Sequence, residues 1–117
     1  MIRISALALA VTVLAACQHN GDDPVPAVLD DMSDATMQSL KSALAASLNK
    51  TGVRLADADL TQTSLVTVVP PPPGPLETRS TALPIEYRLL LAGDTCYAER
   101  SSTGERIDLP GVSCRAL

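Results

Sequence analysis

The side chains of this chain that could do chemistry are few: Cys17, Cys96 and Cys114, a single histidine at His19, and carboxylates of which Asp57, Asp59, Glu77 and Glu86 are the most available. Nucleophilic hydrolysis needs a nucleophile, a base and an orienting group held in one site. His19 stands instead in a polar stretch punctuated by Pro24 and Pro26, with no apolar periodicity to position it. Two carboxylates would suffice for acid–base work, but no spacing singles out a pair. Asp22-Asp23 and Asp57-Ala58-Asp59 offer too few oxygens for calcium, which takes six or more. A redox pair reads Cys-x-x-Cys, and a zinc site needs more Cys or His ligands than these. No catalytic residue, metal or cofactor is expected.

Cys17 has a different context. Arg3 precedes an apolar run from Ile4 to Ala16, which ends in Leu14-Ala15-Ala16-Cys17 and gives way to Gln18-His19-Asn20-Gly21-Asp22-Asp23. The run is shorter than the roughly 20 residues that cross a bilayer and has the charged, apolar and small-residue regions of a secretory signal. Its end resembles the lipobox of bacterial lipoprotein precursors at all four positions. The resemblance implies diacylglyceryl transfer to the Cys17 sulfur, cleavage before it, and acylation, with palmitate for example, of the freed amine. Two or three acyl chains anchor stably where one is marginal. The expectation is a lipid-anchored protein of the cell envelope, with Gln18 rather than Asp after the cysteine pointing to the periplasmic face of the outer membrane if the source is Gram-negative.

With Cys17 carrying lipid, Cys96 and Cys114 are left as a pair in a compartment that permits disulfides, and their bridge is expected to be worth about 3 kcal/mol in the chain-entropy model. Removal of residues 1–16 from the 117 leaves 101, enough for one small domain. Loss of Arg3 leaves eight basic residues against thirteen acidic, a net charge of −5, and no basic patch for nucleic acid. Phe and Trp are absent and Tyr occurs twice, so the core must come from smaller side chains, and a domain of this size gains much from a staple.

The expected organisation is a signal peptide over 1–16, a lipidated cysteine and polar tether over 17–28, and a domain over 29–117. From Asp30 or Asp31 to Lys50, Met37, Leu40, Leu44 and Leu48 recur at helical spacing, with Asp31 or Ser33 to cap the start and Gly52 to take a left-handed position past the end. Val53-Arg54-Leu55 reads as a short extended lead-in. Ser64 to Val69 is β-rich and stops at Pro70. Pro70, Pro71, Pro72, Pro73 and Pro75, with Gly74 between, demand polyproline II; they are either a rigid connector or a candidate docking segment. From Ile85 the chain reads as an antiparallel meander. A two-residue turn at Gly93-Asp94 sets Arg88 opposite Glu99, and a four-residue loop at 101–104 sets Glu99 opposite Arg106. Ile85, Tyr87, Leu89, Leu91, Cys96, Ala98, Ile107 and Leu109 then share one face. Pro110-Gly111 turns the chain back toward Cys96.

The fold class expected from this pattern is α+β, one amphipathic helix on a three- to four-stranded antiparallel sheet. The expected role is that of an envelope lipoprotein with a non-catalytic binding or structural accessory function, touching the membrane through Cys17 and an envelope protein through its domain. The alternative is a small hydrolase facing the periplasm, or an inhibitor of an envelope enzyme.

Overall fold

The computed structural model describes residues 23–76 and 82–117. Its elements in chain order are β1 (Val25–Leu29), α1 (Asp34–Ser47), β2 (Arg54–Leu55), β3 (Leu65–Val69), β4 (Ile85–Ala92), β5 (Thr95–Arg100), β6 (Arg106–Asp108) and β7 (Cys114–Ala116). All pairings are antiparallel and join the seven strands in one sheet.

The expected α+β arrangement is therefore corrected. The protein is mostly sheet, a curled half-barrel of seven antiparallel strands with one short helix, not a helix laid on three or four strands. Three strands account for the difference, β1, β2 and β7, of five, two and three residues. β2 and β7 are too short to show alternation, β1 is interrupted by Pro26, and the pairings of β1 with β4 and β7 are remote in sequence. β1 also takes up residues 25–28, the last four of the stretch read as tether, and it lies between β4 and β7. Its Pro26 is tolerated because the missing N–H falls at the last rung of the β1–β7 ladder, where its carbonyl accepts from Leu117 N at 2.9 Å.

β4 is the axis. Along one edge it pairs with β5 over its length; along the other, its first half pairs with β3 and its second half with β1. The two hairpin registers agree with the sequence reading: Tyr87 pairs with Arg100, Arg88 with Glu99, Leu91 with Cys96, and Glu99 with Arg106. Gly93 takes φ 58°, the positive value that a tight primed turn requires. Tyr87, Leu89, Cys96, Ala98 and Leu109 are buried, Ile85, Leu91 and Ile107 half-buried, and Arg88 exposed. Leu90 is also buried, on the opposite face, where it pairs with Pro26 on one side and Tyr97 on the other.

The concave face is filled by α1. Leu40 and Leu44, both fully buried, form one cluster with Val66, Val68, Tyr87, Leu89 and Ala98. Buried Tyr87 satisfies its hydroxyl on Ser47 Oγ at 3.1 Å. Ser33 caps the helix, its Oγ accepting from Thr36 N at 3.3 Å. The far end closes sooner than expected. Asn49, not Gly52, takes the left-handed position at φ 53°, while Asn49 N donates to Ala46 O and Lys50 N to Ala45 O, a Schellman closure.

Candidate functional site

The cysteine pair is where the sheet curls. Cys96 on β5 and Cys114 on β7 are disulfide-bonded, with Cα atoms 5.8 Å apart. Two strands, β4 and β1, lie between β5 and β7 in the sheet, and three inter-strand steps across a flat sheet would separate the two residues by about 14 Å. The sheet must fold over on itself to bring them together. Leu109 N, donating to Cys96 O at 3.3 Å, continues the β5–β6 ladder to the bridged residue. Cys96 is buried, and Leu91, Leu109 and Cys114 pack in the same cluster.

The proline segment lies at the other end of the axis. β3 runs Leu65 opposite Arg88 to Val68 opposite Ile85, so Val69, still paired with Arg54, passes the start of β4 and Pro70 leaves the sheet there. β1 instead begins opposite Leu91, near the end of β4. The two points are thus about 20 Å apart along β4, six residues of strand rise. Leu76 and Leu83, which flank residues 77–81, are 98% and 82% exposed. A cleft of about 370 Å³ runs between Pro71-Pro72 and the Lys50 to Arg54 segment, floored by Val53, Val68 and Val69. A second, of about 620 Å³, lies beside Leu83, Ile85 and Arg100, and the Arg100 Nε is buried without a hydrogen-bond partner.

Of the carboxylates considered for acid–base chemistry, Asp57 and Asp59 stand in the loop between β2 and β3, and Glu86 on β4. Asp59 holds its own turn, accepting from Thr61 N at 3.0 Å and Thr61 Oγ1 at 2.5 Å. The Thr61 hydroxyl first, and its amide second, lower the Asp59 pKa. Asp57 is exposed before β3, and Glu86 is exposed opposite Thr67. Asp31 is likewise committed to structure: Ser33, through hydroxyl and amide, and then Thr36 lower its pKa. Among the described residues no three His, Cys, Asp or Glu side chains are grouped as they would be to hold a metal ion. Cys17, His19 and Glu77 lie outside the described residues. No helix among those described is long and apolar enough to cross a membrane.

Sequence reasoning found the proline segment but not the cleft beside it. Lys50 and Arg54 read as a helix end and a lead-in, and only the pairing of Arg54 with Val69 sets them against the prolines. Comparison with protein-family models, curated proteins and solved structures finds no match to the chain. The class that fold and site define is a disulfide-pinned, curled antiparallel sheet with a proline-walled cleft at one end.

Proposed function

We propose that this chain is a lipid-anchored protein of the cell envelope with a non-catalytic binding or accessory role, held to the membrane through Cys17 and offering the proline end of its domain to an envelope protein. The observation that carries this reading is the opposition of the two ends. Val25, eight residues after Cys17, joins the sheet near the end of β4, while Pro70 leaves it beyond the start. Eight extended residues reach at most about 29 Å, so a lipid on Cys17 would hold the β1 end within that distance of the bilayer, with the proline end about 20 Å farther along β4 from the point of attachment. The lipobox resemblance supports the anchor, and the engagement of Asp59 by Thr61 within its own turn supports a role in binding over one in catalysis.

Metabolic labelling with a palmitate analogue tests the anchor. Wild-type protein is expected to take up label and fractionate with membranes, and Cys17→Ser to lose both. Unlabelled wild-type protein, soluble in the periplasm, would overturn the reading.

A further inference from the structure

Two cations stand unpaired beside the proline segment of a chain whose net charge is −4. Lys50 and Arg54 are both exposed, and the one ion pair among the described residues is Arg106 with Glu99, at 3.8 Å. They flank the cleft of about 370 Å³, whose other walls are Val53, Val69 and the rings of Pro71 and Pro72, and no carboxylate lines it. The cleft thus combines positive charge with an apolar floor. Its proline wall is stiff, so little conformational entropy is lost when something packs against it.

Among the described residues an open strand edge adjoins it. β2 ends the strand order, and Ala56 N donates to Thr67 O at 2.9 Å across to β3. Antiparallel alternation then turns the main chain of Leu55 to the unpaired side. Next to that edge lies a further hollow bordered by Lys41, Arg54 and Asp57. An extended peptide laid there finds main-chain partners at Leu55, an apolar floor at Val53 and Val69, and cations at Lys50 and Arg54.

We propose that this cleft receives an extended segment of another protein in which acidic and aliphatic residues alternate. The aliphatic side chains pack on Val53 and the proline rings, and the carboxylates meet Lys50 and Arg54, whose side chain lies on the face opposite Val53 and beside its register partner Val69. Alternation is the pattern that suits an added strand, since successive side chains point to opposite sides. The proposal rests on the anchored-protein reading only in placing that partner in the envelope.

The test uses the full chain, isotope-labelled and purified in detergent, titrated with a short peptide of alternating Glu and Leu. Matched Lys–Leu and Glu–Ser peptides serve as controls. The Glu–Leu peptide is expected to shift the amides of Val53 to Leu55 and of Val68 and Val69, with affinity that falls as salt is added. The double variant K50E/R54E should bind about tenfold more weakly, and P71A/P72A should also weaken binding, with the remaining spectrum of both variants unchanged. Equal binding of the Lys–Leu or Glu–Ser peptide overturns the proposal. So do shifts confined to the Val25 and Leu117 end, undiminished binding by K50E/R54E, or no shift at millimolar peptide. Labelling of Cys17 in the same preparation separates the two readings: binding by unlabelled chain overturns the anchor alone, and labelled chain that does not bind overturns the cleft alone.

Discussion

The meander from β4 to β6 and the seam where β1 meets β7 are built from the same kind of pairing but are specified in different ways. In the meander each strand follows its partner within a few residues, so turn length, charge pairing and apolar parity all constrain one register. In the seam, Leu29 pairs with Cys114 and Ala27 with Ala116, partners separated by most of the chain. Nothing local constrains that pairing. It exists because burying Ala27 and Leu29 in the common cluster and bridging Cys96 to Cys114 offset the entropy of closing so long a loop.

The sharpest probe of this contrast is a matched pair of truncations. Leu29 in the seam and Leu89 in the meander are both fully buried, so replacing either by Ala should cost about 2–5 kcal/mol by denaturant unfolding. Hydrogen exchange distinguishes the regions: Leu29→Ala should raise exchange first in β1 and β7, whereas Leu89→Ala should raise it throughout. Uniform exchange in both variants would show that the seam and the meander open as one unit.

Removing the staple comes next. Cys114→Ser should lower stability by about 3 kcal/mol, and reduction of the wild type should have the same effect. Loss of protection at Asp30 N, which donates to Ser113 O at 3.0 Å, would place the damage at the seam. A midpoint unchanged by reductant would mean that packing alone holds the curl.

A smaller effect, of about 1 kcal/mol, is expected from Ser33→Ala at the helix cap. It has a pH counterpart. Asp31 is held below the ordinary carboxylate range by Ser33 and then Thr36. A group whose folded pKa is depressed contributes stability that is fully present above its unfolded value, near about 3.9, and is lost as pH falls through the folded value. Exchange at Thr36 and Met37 should therefore rise on acidification below about pH 4, and Asp31→Asn should abolish that dependence.

The smallest effect belongs to the charge pairs that read so clearly in sequence. The Arg106 and Glu99 side chains are 52% and 31% exposed, so Arg106→Ala should cost no more than about 0.5 kcal/mol, less in high salt. Arg88 lies opposite Glu99 in register without an ion pair between them. A loss above 1 kcal/mol, measured against about 0.5 expected, would show that charge does more than accompany this register.

From residue types and spacing followed the helix around Leu40 and Leu44, a cap at Asp31 or Ser33, the two hairpin turns and the buried face carrying Tyr87 and Leu89; the partnership of Cys96 with Cys114 followed once the lipobox resemblance had set Cys17 aside. Each rests on a period, a short loop or the parity of a small set. The three short strands were less legible: β2, two residues long, was read as an extended lead-in but without its pairing, β1 contains a proline, and β7 follows a turn read only as a return path. Tertiary structure alone decided that β4 would share one edge between β3 and β1, that the sheet would fold over at Cys96, and that Lys50 and Arg54 would meet Pro71 and Pro72 across a cleft. Those outcomes depend on pairings between distant segments, whose stability comes from the burial they complete together and not from anything a short window of sequence contains.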